Sequence, residues 1–459
     1  MLRNTPDGGT KEGEKMETAA NQIDTLEQRV TRKVRWRFIP LLLFLYIIAY
    51  IDRNNLGYIA LDMNKALGIS PAAFGMLSGI FSLGYVPCEI PSNILLHRFG
   101  ARKWFCRIMV TWGFVVILTG MAHSIHQMYI LRVLLGAAEA GFLPGVILYM
   151  SFWFTPKERA RAVAFFMAAL PLSNFIGAPI ATSIMHYVHW FGIEGWRWVF
   201  ILEGVPAVLM GIFILWFLTD RPEQATWLPG EERNWLVATM QREHQAKVQA
   251  RRYSKWQAFT SPRVLRLAVI YLTITMTQVG LGYWLPTIIK RLSATLTNRE
   301  VGLIAMGPYL LGAITMLVWS HHSDRTGERR FHTAIGPLIA ATGLILFGVS
   351  SGLVFKMLSM TVALMGIYSF FGPFWSLPAQ FLSEESAAVG IATINSIATT
   401  GSFIGPYIIG YVTGLTGNPT GALYVFAAGL FLAFILVSTM HKTATRDISV
   451  SEKTSTATH

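Results

Sequence analysis

The chain has 459 residues, of which 53% are hydrophobic and only 14% are charged, and its formal net charge is +13. A soluble chain carries about 25% charged residues, and one of this size could not cover so much apolar surface with so few polar side chains. The composition therefore excludes a disordered protein, a disulfide scaffold and an ordinary cytosolic enzyme. The positive charge of such an apolar chain indicates Lys and Arg on the cytoplasmic side of a membrane, not nucleic-acid binding.

The N-terminal segment, residues 1–36, is polar and charged, and we expect no signal peptide in it. The helical periodicity and basic end of Asp24–Arg37 predict a cytoplasmic lead-in helix. For residues 1–22 a partly disordered tail is the alternative. The two cysteines, Cys88 and Cys106, lie in apolar stretches, and no disulfide is expected.

From Phe38 onward, apolar runs recur that are long enough to cross a hydrocarbon core of about 30 Å, which takes about 20 residues. They predict an all-α membrane protein with about twelve transmembrane helices in two six-helix bundles, 37–218 and 263–441. Between the bundles we expect a cytoplasmic linker, 219–262, with a surface helix at Arg233–Val248, and after them a cytoplasmic tail, 442–459. The predicted spans are roughly 37–59, 72–96, 103–122, 126–152, 160–188, 197–218, 264–288, 300–320, 332–350, 354–378, 387–414 and 420–440.

Basic residues in alternate short loops predict the orientation, because cytoplasmic loops are enriched in Lys and Arg. They place both termini of a multi-pass membrane protein in the cytoplasm, although Lys290, Arg291 and Arg299 run against this pattern. The basic loop residues are Arg98, Arg102, Lys103, Lys157, Arg159, Arg161, Arg325, Arg329 and Arg330.

The two halves of the chain repeat each other. Asn93–Lys103 aligns with Ser320–Arg330 at an offset of 227 residues, and Phe175–Ile180 aligns with Phe403–Ile408 at an offset of 228. Two matches at nearly one offset, close to half the chain length, indicate a duplicated six-span unit. Parallel six-span halves with a binding site at their interface are a known plan for transporters.

The second-half loop, with Asp324, Arg325, Gly327, Arg329 and Arg330, resembles the cytoplasmic loop motif of the major facilitator superfamily. The first-half copy keeps its basic and glycine positions but departs from the motif elsewhere. His97 stands where an Asp is usual, and Asn93 where a Gly is usual, which puts the conformational latch attributed to that acid in doubt in this half. The matching first-half positions are Arg98, Gly100 and Arg102.

Within that superfamily, three segments resemble the anion:cation symporter family. They are Tyr50–Gly57, Arg132–Gly145, and Asn395-Ser396 followed by Gly401 and Gly405-Pro406. The resemblance implies two pseudo-symmetric bundles and alternating access. It also implies proton-coupled import of a small organic anion: a sugar acid, a tartrate-like hydroxy-dicarboxylate or an aromatic carboxylate. Sodium coupling and export are the alternatives within transport; a transporter-like sensor and a membrane enzyme are less favoured.

The clearest ionisable residues inside the predicted spans form a set of five; at mid-membrane each charge costs about 2.5–3.5 kcal/mol and therefore needs a reason. They are Asp52, Arg53, Glu89, Arg132 and Glu139. At 1.5 Å per residue, Asp52 lies about 22 Å from the cytoplasmic start of its span, while Arg132 and Glu139 lie about 9 and 20 Å from the outer end of theirs. Asp52 and Arg132 therefore share a level, and we expect an ion pair between them, either functional or purely structural.

Arg53 forms a polar stripe with Tyr46 and Tyr50, spaced i, i+4, i+7. Its guanidinium suits bidentate capture of a carboxylate, and snorkelling to the interface is the alternative. Glu139 is expected to be a lone carboxyl near mid-membrane that suits proton carriage, or else a permanently protonated hydrogen-bonding group. The resemblance favours Asp52 and Glu139 as the proton-handling pair, assisted by Arg132, with Arg53 on the substrate.

Further polar side chains are candidates for lining the substrate site, although bonding between helices is the alternative for the amides and Tyr368. They are Tyr85, Asn174, Gln278, Tyr368 and Asn395. The role of Glu89, a gate pair or a hydrated helix end, stays open. Phe371, Phe374 and Trp375 could stack on an aromatic acid, but such residues more often belong to the core or face lipid.

The sequence predicts no metal site and no cofactor. His321 and His322 adjoin Asp324, but adjacent side chains on a helix splay apart. A phosphate-binding loop of the Gly-x-x-x-x-Gly-Lys-Ser/Thr type does not occur, so direct use of ATP is not expected. The expected partners are a small organic anion, a proton and the lipid bilayer, and the expected state is a monomer.

Overall fold

The computed structural model describes residues 9–249, 261–293, 295–378 and 384–440. The predicted tail at 442–459 and residues 250–260 of the predicted linker lie outside the described residues. Every long regular element within them is an α-helix. In chain order these are α1 (Gly9–Leu67), α2 (Pro71–Gly79), α3 (Phe81–Phe99), α4 (Ala101–Thr119), α5 (Ile125–Glu139), α6 (Phe142–Trp153), α7 (Pro156–Met167), α8 (Ala169–Tyr187), α9 (Gly195–Phe217), α10 (Gly230–Gln249), α11 (Pro262–Leu292), α12 (Asn298–Thr326), α13 (Arg330–Val349), α14 (Leu353–Ser369), α15 (Phe371–Ser376), α16 (Glu384–Thr416) and α17 (Thr420–Ser438).

The helices build about twelve membrane spans, as predicted. Ten helical segments in the described part of the chain are long and apolar enough to cross a bilayer. The other two spans are α4 and α16, which have 19 and 33 residues and pack along α9 and α11, respectively. Basic residues at the start of α4, Arg102 and Lys103, lower its mean hydropathy. The protein is therefore an all-α, multi-pass membrane protein.

The lead-in helix and the first span, predicted as two elements, form the single helix α1. An apolar stripe continues through the predicted junction: the side chains of Val30, Val34, Phe38, Leu42 and Leu45 are all completely buried. These residues recur every three or four positions and so occupy one face of a helix. Pro40 lies within the same stretch but does not end the helix, which runs on into the membrane.

Four predicted spans consist of two helices each: α2 with α3, α5 with α6, α7 with α8, and α14 with α15. The break between α5 and α6 follows Glu139 directly. There Ala140 is extended and Gly141 has φ +84°, a conformation that strongly favours glycine. A Cβ at Gly141 would also lie 2.3 Å from Ser92 Oγ. The chain thus bends sharply where an ionisable side chain must be positioned.

The predicted linker helix is present as α10, but one of its faces is buried against the first half. Glu232 is only 4% exposed and accepts hydrogen bonds from Lys33 Nζ at 2.7 and 2.8 Å. Just before α10, the Trp227 ring lies 4.6 Å from the Arg37 guanidinium and stacks on Trp153. These contacts attach α10 to α1 and α6.

The two halves contact each other closely toward one end of the bundle, at the turn between α1 and α2 (the Gly68 end). Glycines make this approach possible. A Cβ on Gly57 would lie 2.7 Å from Tyr283 O, one on Gly75 would lie 2.8 Å from Pro406 O, and one on Gly79 would lie 2.7 Å from Phe403 O. Real Cβ atoms essentially never come this close, so the backbones of the two halves touch only because these positions carry no side chain.

Candidate functional site

The middle of α1 presents three different faces to its neighbours. Arg53 points toward α3 and α5, where it meets Phe81 and Glu139. Asp52 points toward Trp112 on α4. Asn54 points toward α8, where its Nδ2 donates to Asn174 Oδ1 at 3.1 Å. Successive residues on a helix differ by about 100° in direction, so three adjacent polar residues serve three separate contacts.

The centre of the site is an ion pair between Arg53 and Glu139, whose side chains are 20% and 4% exposed. The prediction of a lone Glu139 is therefore wrong. The Arg53 guanidinium also lies over aromatic rings, 4.6 Å from the centroid of Phe81, 4.9 Å from Tyr50 and 5.5 Å from Tyr85. A charged guanidinium is stabilised by both the carboxylate and the electron-rich ring faces.

Tyr46, Tyr50 and Arg53 lie on one face of α1, as their spacing predicts. The Tyr46 ring stacks on Phe166 at 4.3 Å and meets Tyr50 edge-on at 4.8 Å. Tyr46 is only 2% exposed, so Tyr50 is the member of the stripe that contacts Arg53 directly. Glu89, one turn beyond Tyr85, is half-buried and within electrostatic reach of Arg53.

The predicted ion pair between Asp52 and Arg132 is not formed. Asp52 Oδ2 accepts a hydrogen bond from Trp112 Nε1 at 2.8 Å instead. The two residues share a level, as the depth arithmetic indicates, but α1 turns Asp52 toward α4. Depth along a helix fixes only height, whereas partnership also requires the right rotation about the helix axis.

Arg132 is completely buried and donates from Nη2 to the Arg53 backbone oxygen at 3.1 Å and to the Tyr283 hydroxyl at 3.3 Å. Its Nε and Nη1 have no hydrogen-bond partner, and neither does Nε of Arg53. Unsatisfied donors on a buried charged group are costly. Two neighbouring guanidiniums thus retain unused N–H groups beside a single paired carboxylate.

The second half contributes a smaller polar group. The Tyr368 hydroxyl interacts with the side chains of Gln278 and Asn174. Asn174 also binds Asn54, so it does bond between helices, the alternative considered for it. Asn395 is half-buried on α16, and its backbone oxygen accepts from Thr399 Oγ1 at 2.8 Å.

The predicted aromatic candidates of the second half cluster around Tyr271. Phe374 stacks on that ring at 5.2 Å, and Trp375 meets it edge-on at 5.1 Å. Phe371 and Phe374 are almost completely buried, at 3% and 0% exposure. These two rings therefore belong to the packed core of the second half, and Trp375 is the half-buried member.

The two loop motifs form different contacts at the end opposite Gly68. In the first half, Gly100 has φ +86° and the backbone N–H of Arg102 donates to Asp220 Oδ1 at 2.8 Å. Asp220 thus supplies a carboxylate at this loop, where His97 replaces the usual acid. The Arg98 guanidinium lies 5.7 Å from the Phe99 ring.

In the second half, Gly327 ends α12 in the left-handed conformation, and Asp324 forms an ion pair with Arg329. Arg330 donates to the Ser438 backbone oxygen, and Arg325 is exposed. His322 contacts His332 at 2.7 Å between ring nitrogens. No metal-binding cluster of His, Cys, Asp or Glu occurs within the described ranges.

Sequence reasoning missed three residues at the site: Trp112, Tyr283 and Glu203. Glu203 is 5% exposed, and neither carboxylate oxygen has a hydrogen-bond partner. A signal was present, because Glu203 is the only acidic residue of the apolar helix α9. Trp112 and Tyr283 gave no such signal, since their roles as partners of Asp52 and Arg132 depend on helix packing.

Comparison with known proteins shows the family to which this chain belongs. Residues 42–406 match the family model described as Major Facilitator Superfamily. The chain is 45% identical over 407 residues to an Agrobacterium vitis protein named "Putative tartrate transporter", covering 89% of this chain and 90% of that protein. It is 34% identical over 430 residues to the "Quinolone resistance transporter" of Acinetobacter baumannii, covering 93% of this chain and 99% of that protein.

Among solved structures, the fold is similar to the partially occluded, inward-open conformation of the xylose transporter XylE from E. coli. The TM-score is 0.70 at 12% sequence identity, and the match covers 89% of this chain and 100% of that chain. This likeness concerns the fold alone. The family match and the full-length relatives together show that the chain belongs to the major facilitator superfamily of membrane transporters.

Proposed function

We propose that the protein imports a small organic anion together with protons by alternating access. The observation that carries this proposal is the Arg53–Glu139 ion pair beside Arg132, whose guanidinium has unpartnered N–H groups. Two guanidiniums and one carboxylate leave a net positive charge in a buried site. A carboxylate ligand is the natural complement, because a guanidinium matches it bidentately.

Proton coupling follows from competition for Arg53. While Glu139 is ionised, it occupies the Arg53 guanidinium. When Glu139 takes up a proton, the pair loses its charge–charge attraction and Arg53 can turn to the carboxylate of the substrate. Binding of the anion and of the proton therefore favour each other, which is the linkage that symport requires.

The site suits a small anion with both carboxylate and hydroxyl groups. In this proposal the guanidiniums bind the carboxylate, while Tyr50, beside Arg53, and Gln278 in the second half bind hydroxyl groups. The tartrate-related name of a relative at 45% identity supports a hydroxy-dicarboxylate within this class. Sugar acids and aromatic carboxylates share the same charged group and remain members of the class.

We infer the orientation from the basic residues of the loops at the end opposite Gly68. We place that end on the cytoplasmic side of a bacterial inner membrane. Both termini then lie inside. In the proposed orientation, the close contacts between Gly57 and Tyr283 and between Gly79 and Phe403 lie at the outer end of the protein.

Uptake of labelled tartrate into proteoliposomes tests the proposal. An inward proton gradient should drive accumulation, and the Glu139→Gln variant should lose accumulation while still exchanging tartrate by counterflow. Glu223→Gln, which changes an exposed glutamate after α9, is the matched control. Undiminished pH-driven accumulation by Glu139→Gln would contradict the proton role, and accumulation that follows a sodium gradient would favour sodium coupling.

Export is the second candidate, favoured by the likeness to the "Quinolone resistance transporter". The same proteoliposomes distinguish the two directions. An exporter of a cationic or zwitterionic drug would be driven by a proton gradient opposed to drug movement. Such a drug would also compete poorly with tartrate, because the binding site carries excess positive charge.

A further inference from the structure

We propose that a cavity at the Gly68 end of the second half binds the phosphate group of an anionic phospholipid. The cavity has a volume of about 360 Å³ and lies between the end of α11, the adjoining ends of α13 and α14, and the turn that joins α16 to α17. This site is separate from the candidate substrate site, and the proposal does not depend on which anion is transported. The lining of the cavity includes two basic and three apolar side chains, Arg291, Lys356, Ile288, Leu292 and Phe347.

The positive charge of this cavity has no counter-charge in the described part of the chain. No acidic side chain there lines the cavity, and neither Arg291 nor Lys356 forms an ion pair. The neighbouring Lys290 differs, because it donates to the Leu296 backbone oxygen and acts electrostatically on Glu300. The preference for basic residues in cytoplasmic loops does not explain Arg291 either, since it lies at the end of the protein that should be poor in Lys and Arg.

Contacts within the protein hold both cations at the cavity. Arg291 Nη1 donates to the Gly417 backbone oxygen at 2.6 Å, which fixes the guanidinium against the turn between α16 and α17 and uses one of its five N–H groups. The Lys356 ammonium lies 4.7 Å from the centroid of the Phe347 ring, and no hydrogen bond to it forms among the described residues. Both side chains therefore retain donors for a phosphate group placed between them.

The start of α17 adds partial positive charge to the cavity. Pro419 and Thr420, the N-cap and the first residue of this 19-residue helix, belong to the lining. Exposed N–H groups at a helix N-terminus favour bound phosphate, because the helix dipole is positive there. The dipole of α17 thus acts in the same direction as the two cations.

The surroundings of the cavity indicate a lipid as the source of the phosphate. Arg291 and Lys356 each lie at one end of a predicted span, where hydrocarbon gives way to headgroups. At the adjoining ends of α13 and α14, the side chains of Val349, Val354 and Phe355 are 67–71% exposed and form an apolar surface for acyl chains. Basic pockets between transmembrane helices bind the headgroups of anionic lipids. The ammonium of a zwitterionic headgroup would instead be repelled by the two cations.

Native mass spectrometry of the full-length protein in detergent, with phosphatidylglycerol or phosphatidylethanolamine added, tests the site. The wild type should bind phosphatidylglycerol more tightly. Lys356→Gln should weaken that binding about tenfold, because it removes a charge-assisted hydrogen bond to the phosphate. Arg299→Gln is the matched control: it removes a positive charge at the same end, but that guanidinium donates to the Tyr187 hydroxyl of the first half at 3.0 Å.

Arg291→Gln should weaken phosphatidylglycerol binding as well. Should this variant fail to fold because it loses the bond to Gly417, Lys356→Gln still decides, since its ammonium has no such bond to lose. Unchanged binding by Lys356→Gln, or equal binding of the two lipids by the wild type, would overturn the proposal. Displacement of phosphatidylglycerol by inorganic phosphate would also overturn it, because the cavity would then be a site for free anions.

Discussion

Replacing Arg53 by methionine should destabilise the protein much more than replacing its partner Glu139 by glutamine. Arg53→Met removes the cation from a carboxylate that is only 4% exposed. Glu139→Gln instead leaves the guanidinium over the rings of Tyr50 and Phe81 and keeps an amide oxygen that can accept a hydrogen bond. The two changes thus remove the same ion pair but leave very different groups behind.

The expected magnitudes follow from that difference. Leaving one partner of a buried ion pair without its counter-charge costs about 3–5 kcal/mol. Loss of one charge-assisted hydrogen bond costs about 1.5–3 kcal/mol, and each ring retained under Arg53 offsets about 0.5–1 kcal/mol. We therefore expect Arg53→Met to lower the free energy of unfolding by about 2 kcal/mol more than Glu139→Gln. The double variant should recover part of the loss.

The pH dependence of the stability lost in Arg53→Met is an independent test of this reasoning. In Arg53→Met, the unpaired Glu139 carboxyl is relieved by taking up a proton, so the deficit should be smallest in acid. It should grow by up to about 1.4 kcal/mol per pH unit as the pH rises.

Unfolding of the four proteins in detergent, followed over a pH series, measures these quantities. The reasoning is refuted if the losses of the two single variants add up in the double variant, because independent sites give additive effects. It is also refuted if the deficit of Arg53→Met does not change with pH. Arg53→Lys adds a functional check, since a point charge should keep the fold but weaken anion binding.

Three further predictions concern other parts of the molecule. Gly79→Leu should force the two halves apart at Phe403 and raise labelling of cysteines introduced at the Gly68 end, whereas Gly307→Leu, in open space, should not. At Glu328, burial opposes ionisation, but hydrogen bonds from the backbone N–H groups that follow it outweigh this and hold its pKa below the ordinary value. Glu328→Gln should therefore lower the free energy of unfolding by about 0.5–2 kcal/mol near neutral pH. The difference in stability between wild type and variant should vanish as the pH falls through that lowered pKa. Glu232→Gln should speed hydrogen exchange in α10 by weakening its ion pair to α1, and unchanged exchange would contradict the docking role.

The amino-acid sequence alone is sufficient to predict the membrane-spanning helices and the ionisable residues inside them. Apolar runs of about 20 residues must become helices in lipid, because only intrahelical bonds satisfy the backbone there. The same reasoning singles out Arg53 and Glu139, since a charge inside such a run is costly and has to be explained. Spacing along α1 also places Tyr50 and Arg53 on one face correctly.

Only the tertiary structure determines which side chains of different helices contact each other. The sequence fixes the height of Asp52 and Arg132 but not the rotation and contact points of their helices, so Asp52 meets Trp112 and Arg53 meets Glu139. Those contacts depend on where backbones touch, for example at Gly113. These two contacts join residues 60 and 86 positions apart along the chain, and local periodicity carries no information about them.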